Sequence, residues 1–324
     1  MGIFRRIFKF IKRIAIYFLI FSLIGSIIYS VRIFRRANIK TNFSAIIDSD
    51  TGNGVDNMYA IARVLADPGF DLTGLTSVQW NYYPEAISGT GEIGYELNKT
   101  LLKLFEKEHI PNFKGGEEMV SYLNYSAPPR NEAAEFIIRK AHEIPKKKKL
   151  NIIALGALTN IALAIRMDST IAPKLRVYTS IMDYNPTTKV WNKNEHNTRN
   201  DLDALDILLN SDGLEMHIMP ASSSKTLVFG SSEINDLMKS KGPQWDFLIK
   251  QWNEKFPDKK ELIMLDVALI EGILHNDFVK EEQAITPPEN KRKPVFTYTW
   301  INKEFMGIDY WKTIKKFISD NRNN

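Results

Sequence analysis

The chain has 324 residues, of which 43 are lysine or arginine, 38 are aspartate or glutamate, and none is cysteine. This length allows one large domain or two small ones, and the lack of cysteine excludes disulfides, thiolate metal sites, a cysteine nucleophile and a lipid anchor on cysteine. The net charge of +5 comes from residues 1–40, which hold nine basic residues and no acidic one. Because the remaining chain is mildly acidic and shows no basic patch with interleaved aromatic residues, nucleic-acid binding is set aside.

Residues 14–31 form an apolar segment without a charge, flanked by arginine and lysine on both sides. A helix of this length spans about 27 Å, close to the roughly 30 Å of a bilayer core. We therefore expect a transmembrane helix or signal anchor at 14–31, after a basic cytoplasmic-type N-terminus at 1–13 and before a linker at 32–42. A cleaved signal peptide is the alternative. The flanking charges barely discriminate the orientation, and we expect the body on the extracytoplasmic side of the membrane.

Short apolar runs alternate with amphipathic stretches through the rest of the chain. The patterns predict strands at 43–47, 71–78, 150–155, 175–181 and 214–219, and helices at 55–65, 131–142, 159–166 and 201–209, with a polar loop up to Asn200. This alternation predicts one α/β domain at 43–318 with a mostly parallel sheet flanked by helices, followed by a polar tail at 319–324. In such sheets, ligands bind beyond the carboxyl ends of the strands.

The first predicted strand runs directly into a group of polar side chains. Asp48 and Asp50 end the apolar run, a glycine-bearing turn follows, and Asp56 and Asn57 open the next helix. Four oxygen-bearing side chains suit a hard cation such as Ca²⁺. Taken alone, the segment favours a simpler interpretation, in which Asp56 and Asn57 cap the helix and the other two acids decorate a loop.

Four further sequence segments, together with the one just described, favour the metal site over the simpler interpretation, because all five resemble motifs of one protein family. Residues 46–57 resemble the signature of the nucleoside hydrolase family, and blocks similar to those of the inosine- and uridine-preferring members follow in the family's order at 74–81, 155–163, 195–201 and 265–268. Together the five blocks span about residues 44–275. The resemblance implies an α/β fold with a mostly parallel sheet, and calcium-dependent hydrolysis of the N-glycosidic bond of a ribonucleoside or related riboside.

The resemblance also implies roles for individual residues. Asp50 would bind Ca²⁺ and act as general base toward a calcium-activated water, with Asp48 supporting it from behind. The remaining metal ligands would be Asn57, the backbone carbonyl of Leu155, and Asp266. The sugar would be held by Asp56, Asn81, Asn192, Glu195 and Asn197. Members of the family are often oligomers, so self-association is also compatible with the resemblance.

Two departures from the family pattern leave alternatives open. Asn57 stands where the family has a second metal-binding aspartate, which favours either a weaker site or a fold kept for binding alone. Leu265 stands where purine-cleaving members carry a histidine that protonates the leaving base. Either His196 or His275 substitutes for it, or the leaving group needs little protonation, and the base preference stays open. The alternative function is a non-catalytic, membrane-tethered riboside-binding protein. A Mg²⁺-dependent phosphohydrolase is disfavoured, because neither a phosphate-cradling glycine loop nor a nearby catalytic lysine is evident.

Overall fold

The computed structural model describes residues 43–81, 87–122 and 131–322, together with Tyr17, Phe21 and Ser22. The predicted anchor at 14–31, the segment at 1–13 and the linker at 32–42 lie outside the described residues, apart from those three positions. The chain divides into two compact units, residues 1–41 and 42–324, and the elements below belong to the second. Among the described residues, no helix combines the length and the apolar character that a membrane span needs. The anchor at 14–31 stays a prediction.

The described part of the second unit contains twelve strands. They are β1 Phe43–Ser49, β2 Phe70–Ser77, β3 Asn112–Phe113, β4 Leu150–Ala154, β5 Leu175–Thr179, β6 Asp183–Asn185, β7 Val190–Asn192, β8 Glu215–Ile218, β9 Val228–Gly230, β10 Glu261–Ile263, β11 Val279–Ile285 and β12 Pro294–Ile301. Eight of them form one sheet in the order β11-β12-β8-β5-β4-β1-β2-β3, while β6–β7 and β9–β10 form two small sheets. Only β11 runs antiparallel to its neighbour in the large sheet. The prediction of a mostly parallel sheet is confirmed.

Helices cover both faces of the large sheet. In the described residues they are α1 Asp56–Leu65, α2 Thr90–Leu104, α3 Glu132–Glu143, α4 Thr159–Met167, α5 His196–Asn200, α6 Leu202–Asn210, α7 Ala221–Ser224, α8 Ser231–Met238, α9 Pro243–Lys255, α10 Leu265–Leu274 and α11 Lys303–Arg322, with 3-10 turns at Val120–Tyr122, Ser169–Lys174 and Asn276–Phe278. Adjacent residues of β1 point to opposite faces, so Ile47 joins the core under α1, α10 and α11, whereas Ile46 joins the core under α3, α4 and α6.

Each predicted strand and helix is present within about two residues of its observed bounds. The structure differs from the prediction in several places, and β3 and all the strands and helices after residue 219 were also not predicted. The polar loop before Asn200 contains the β6–β7 hairpin and α5, helix α2 was not predicted, and the polar tail predicted from 319 begins inside α11. Glycines weaken a helix signal by about 1 kcal/mol each, which hides α2 in the sequence. Its Gly94 is needed because a Cβ there would lie 3.3 Å from the Cβ of Ser77 and 3.4 Å from the carbonyl of Thr51.

The loops that follow β1, β2 and β4 begin at one edge of the sheet. The backbone N–H of Val78 donates to the carbonyl of Ser49 at 3.0 Å, and that of Leu155 donates to the carbonyl of Asp48 at 2.8 Å. These bonds extend the parallel pairing just past the strand ends. The segments that carry Asp50, Asn81 and Leu155 therefore leave the sheet side by side.

Candidate active site

Asp48 is fully buried inside β1. Its Oδ1 accepts hydrogen bonds from Thr76 Oγ1 at 2.6 Å and from Asn160 Nδ2 at 2.8 Å, while its Oδ2 has no partner among the described residues. Burial raises the pKa of Asp48 to about 7, although the two hydrogen bonds oppose the shift. Asp48 thus ties β1 to β2 and α4 directly behind the site.

Asp50 is the first residue beyond β1 and is only 2 % exposed. Asn53 Nδ2 donates to Asp50 Oδ2 at 2.7 Å, and Asn57 Nδ2 donates to the Asp50 backbone carbonyl at 3.0 Å and to Oδ1 at 3.3 Å. Burial raises the pKa of Asp50 to about 6, against the effect of these amide donors. A carboxylate with this pKa is ionised at neutral pH and still close enough to neutrality to accept a proton.

Asn57, in the first turn of α1, has an unusual hydrogen-bonding state. Its amide nitrogen is committed to Asp50, while its Oδ1 is buried and has no partner among the described residues. A buried acceptor without a partner costs about 1–3 kcal/mol. Because an amide oxygen is a ligand that Ca²⁺ accepts, a cation at this position would satisfy it.

Two further acids complete a cluster at the sheet edge. Asp56 begins α1, Asp266 lies in the first turn of α10, and the Asp266 backbone N–H donates to Asp56 Oδ2 at 3.4 Å. Loss of hydration raises the pKa of both groups, that of Asp56 to about 6, and the charge of Asp50 adds to both shifts. Glu195 also raises the pKa of Asp266. The cluster therefore has an excess of negative charge.

Lys255, the last residue of α9, reaches over this cluster. Its Nζ donates to the backbone carbonyl of Gly52. Desolvation is the larger influence and lowers the pKa of Lys255, whereas the charges of Asp50 and Asp56 raise it. Because Lys255 also has a surface in contact with water, the solvent screens its attraction for the buried acids. One screened ammonium leaves the excess of negative charge in place.

The carbonyl of Leu155 lies at the same edge. It accepts a hydrogen bond from Asn197 Nδ2 at 3.0 Å, and the same nitrogen donates to the Ser180 carbonyl at 3.3 Å. Glu195 caps α5, where Oε1 accepts from the backbone N–H of Asn197 at 3.0 Å and Oε2 from that of Thr198 at 3.0 Å. The Glu195 carboxylate thus fixes the segment that presents Asn197 to the Leu155 carbonyl.

The two remaining predicted sugar ligands have other partners. Asn81 Oδ1 accepts from Thr90 Oγ1 at 3.0 Å and its Nδ2 donates to the Glu117 carbonyl, which holds the loop after β2 against α2. Asn192 ends β7 in an exposed hairpin, where its Oδ1 accepts from the Asn194 backbone N–H at 2.9 Å. None of the described contacts links either residue to the acidic cluster.

His275 lies at the wrong end of α10 to serve this site. It follows the helix whose first turn holds Asp266, about 13 Å away along the helix axis. Glu271, His275 and Asp309 lie close enough together to hold a metal ion, but the Arg63 guanidinium already supplies a cation there, at 2.7 Å from Glu271 and 2.9 Å from Asp309. In the described residues His275 contacts Asp309 and lies beside Glu271, whereas His196 is the histidine that contacts Asn53 next to the acidic cluster.

Besides Lys255 and Thr76, three residues at the site were not identified from the sequence. Asn53 binds Asp50, Asn160 binds Asp48, and Gly156 packs against Asp50. The signal for Asn53 was its place in the turn after D-x-D, and that for Asn160 was its place in the third conserved-looking block. The need for glycine at 156 arises only from the approach of β4 to β1, which periodicity does not show.

Changing Gly156 to alanine is expected to displace Asp50 and lower the free energy of unfolding by about 1–3 kcal/mol, the usual cost of overpacking. A Cβ at this position would lie 2.7 Å from the Asp50 Cβ and 2.8 Å from its Cγ. Urea denaturation measures the effect. The matched control is Gly307→Ala in α11, where nothing lies within 4 Å of the added Cβ and helix propensity predicts a gain of up to about 1 kcal/mol. Equal stability of the Gly156 variant and the unchanged protein would contradict the packing argument.

The amino-acid sequence is similar to a known protein family and to individual plant proteins. Residues 45–295 match the model of the family described as inosine-uridine preferring nucleoside hydrolase. The chain is 23% identical over 273 residues to a probable uridine nucleosidase 2 of Oryza sativa subsp. japonica, covering 78% of this chain and 80% of that protein. It is 25% identical over 214 residues to uridine nucleosidase 1 of Arabidopsis thaliana, covering 60% and 61%.

Solved structures show the same fold. A plant nucleoside hydrolase, the PpNRh1 enzyme, superposes with a TM-score of 0.66 at 17% identity, covering 84% of this chain and 99% of that one. The inosine-uridine preferring nucleoside hydrolase from Bacillus anthracis superposes with a TM-score of 0.63 at 15% identity, covering 85% and 99%. The family match covers most of the chain, and the acidic cluster lies at the strand ends within the matched residues. The chain belongs to the inosine-uridine preferring nucleoside hydrolase family.

Proposed function

We propose that this protein hydrolyses the N-glycosidic bond of ribonucleosides, with uridine as the preferred substrate. The observation that carries the proposal is the cluster of Asp50, Asp56 and Asp266 at the carboxyl edge of the sheet, beside the unpartnered Oδ1 of Asn57. The names of the plant relatives, uridine nucleosidases, support uridine as the first substrate to test.

The residues present fit a calcium ion. Asp50 and Asp266 would supply carboxylate oxygens, Asn57 its unpartnered amide oxygen, and Leu155 the free lone pair of its carbonyl. All four donors are oxygens, as Ca²⁺ requires, and the excess of negative charge favours a divalent cation. Calcium bound here would supply Lewis-acid activation of the attacking water.

The chain's own residues would perform the remaining chemistry. Asp50, whose pKa of about 6 leaves it ionised at neutral pH, takes the proton from the attacking water. Asp56 and the amide oxygen of Asn197 bind ribose hydroxyls, and the surrounding carboxylates stabilise the positive charge that develops on the sugar as the glycosidic bond breaks.

Leu265, the first residue of α10, offers no proton to the departing base. A base that leaves as a carbonyl-stabilised anion, such as uracil, depends less on protonation than adenine does. The apolar side chain next to Asp266 is therefore consistent with preference for a pyrimidine nucleoside.

The direct test is release of free base and reducing sugar from uridine, cytidine, inosine and adenosine, using the full-length protein with calcium and with chelator. We expect calcium-dependent cleavage that is fastest with uridine. Calorimetric binding of uridine without turnover at saturating calcium would favour the alternative, a non-catalytic riboside-binding protein. Cleavage that chelator does not affect would overturn the metal assignment alone.

The raised pKa values of the buried acids predict a calcium-sensitive pH dependence of stability. In the folded protein the pKa is about 7 for Asp48 and about 6 for Asp50 and Asp56, against 3.8 for an ordinary aspartate. Because the folded state retains protons that the unfolded state releases, the free energy of unfolding falls as pH rises from about 4 to 7. Calcium favours the ionised carboxylates, so the fall is smaller when calcium is present. Urea titrations at several pH values, in chelator and in calcium, measure both slopes, and identical slopes would contradict the prediction.

A further inference from the structure

His196 is connected to the proposed general base through a single side chain. The Asn53 Nδ2 atom lies 2.7 Å from Asp50 Oδ2 and 2.8 Å from His196 Nε2. Asn53 belongs to the turn between β1 and α1, where its backbone N–H donates to the Asp50 carbonyl at 2.9 Å. His196 is the first residue of α5, between Glu195 and Asn197 in sequence. The chain Asp50–Asn53–His196 therefore joins the loop of the base to the segment proposed to hold the sugar.

The hydrogen atoms along this chain follow from Asp50. The Asn53 nitrogen carries two N–H groups, and one of them donates to Asp50 Oδ2 at 2.7 Å. The other N–H then points to His196 Nε2, and that ring nitrogen must be the acceptor. The geometry therefore favours the tautomer of His196 that carries its proton on Nδ1. A nitrogen that accepts from Asn53 has no proton to give to a departing base.

We propose that His196 is a positioning residue, which holds the Asn53 amide so that it keeps Asp50 Oδ2, and with it the whole carboxylate, in a fixed orientation. The kinetic part of this inference rests on the proposed function, whereas the tautomer of His196 is independent of it. Asn53 alone could rotate about its side-chain bonds and release Asp50. An acceptor on its second N–H removes that freedom, which is how supporting hydrogen bonds hold a catalytic group within a few tenths of an ångström.

Helix α5 does not need the His196 ring to form. Glu195 caps the backbone N–H groups of Asn197 and Thr198, and its own carbonyl accepts from the Arg199 N–H at 2.9 Å. Substitution of the imidazole should therefore leave the local backbone unchanged. The effect of the ring can be measured separately from folding.

The first measurement is the tautomer of His196 in the full-length protein at about pH 8, by long-range ¹H–¹⁵N NMR of its five histidines. The His196 signal is assigned by its loss in His196→Gln. We expect the Nδ1–H tautomer in the unchanged protein and a shift toward Nε2–H, the form that free histidine favours in water, in Asn53→Leu. An Nε2–H tautomer in the unchanged protein would overturn the inference.

The second measurement compares two substitutions that differ only in reach. In His196→Gln the Oε1 atom can occupy the position of Nε2 and accept from Asn53, whereas in His196→Asn the oxygen stops near the position of Nδ1. We expect His196→Asn to lower kcat roughly tenfold with KM nearly unchanged, because the lost bond acts on the base rather than on binding. His196→Gln should retain most of kcat.

Equal kcat values for the two variants, or a loss that appears in KM alone, would show that His196 does not position the base. If the unchanged protein cleaves no nucleoside, the proposed function fails and the positioning role fails with it, while the NMR result still establishes whether the Asn53–His196 bond exists. The two failures are thus distinguishable.

Discussion

Asp50→Asn is expected to lower kcat for nucleoside cleavage by about 10²–10⁴-fold, the usual contribution of a general base. The amide keeps the volume of the side chain and can still accept from Asn53, but it cannot take a proton and is a weaker metal ligand. Initial rates of base release at saturating calcium measure the effect. Because the residue lies at the carboxyl end of β1 with 2 % exposure, a loss of this size is chemical rather than the result of a lost surface contact.

The stability of the same variant should change little. Burial raises the pKa of Asp50 to about 6, so at neutral pH without metal the folded protein carries a charge that would be more stable in water. Removing that charge offsets the loss of the 3.3 Å hydrogen bond from Asn57, which the new amide NH2 cannot accept, so the free energy of unfolding in chelator should change by less than about 1 kcal/mol. Asp71→Asn, at the exposed start of β2, is the matched control and should alter neither rate nor stability by much. A strong loss of both activity and stability in Asp50→Asn would mean that Asp50 has a structural role instead.

Much of the central fold could be predicted from the sequence because its strands and helices carry their own signals. The residues of β1, β4 and β5 are buried on both faces of the sheet, so their sequences are short apolar runs typical of strands. The start of α3 is predicted by Asn131, whose side chain caps the helix by accepting from the Ala134 N–H. The chain after 219 lacked such signals. Strands β9 and β10 have three residues each, too few for a period, and they form because tertiary packing brings them together.

The candidate site, like the fold, could be predicted from the sequence only in part. Asp50, Asn57 and Asp266 were found because each stands in a block with its own pattern, and the structure brings them to one edge of the sheet. Asn81 ends one of these blocks and Asn192 was a weaker candidate outside them, yet both side chains have local hydrogen-bond partners. Sequence spacing identifies which residues reach the strand ends. It does not show which neighbouring groups form hydrogen bonds with these residues. Those partners depend on loop conformations, which have no periodic pattern in the sequence.

Asn57→Asp is the second change with a large expected effect, and its sign depends on calcium. In chelator, a carboxylate oxygen would replace the amide nitrogen that lies 3.0 Å from the Asp50 carbonyl and 3.3 Å from Asp50 Oδ1. Two attractive contacts would become repulsive, beside the charges of Asp56 and Asp266. We expect the free energy of unfolding to fall by about 1–3 kcal/mol at neutral pH. With calcium, the added charge should tighten metal binding by about tenfold or more, measured by calorimetric titration.

Asn98→Asp is the control for this experiment. It distinguishes direct binding of calcium by residue 57 from the general effect of adding a buried negative charge. Asn98 is as fully buried as Asn57, in α2, and its Oδ1 accepts from Thr51 Oγ1 at 2.6 Å. A carboxylate there carries the same burial cost but lies on a different helix from the proposed metal ligands. It should destabilise the protein without a comparable gain in calcium affinity. If the two variants bind calcium equally well, residue 57 is not a ligand, and the amide at this position serves only to hold the Asp50 carbonyl. If only Asn57→Asp binds tighter, the native amide is a metal ligand of reduced charge, and the site has exchanged calcium affinity for stability in the absence of the metal.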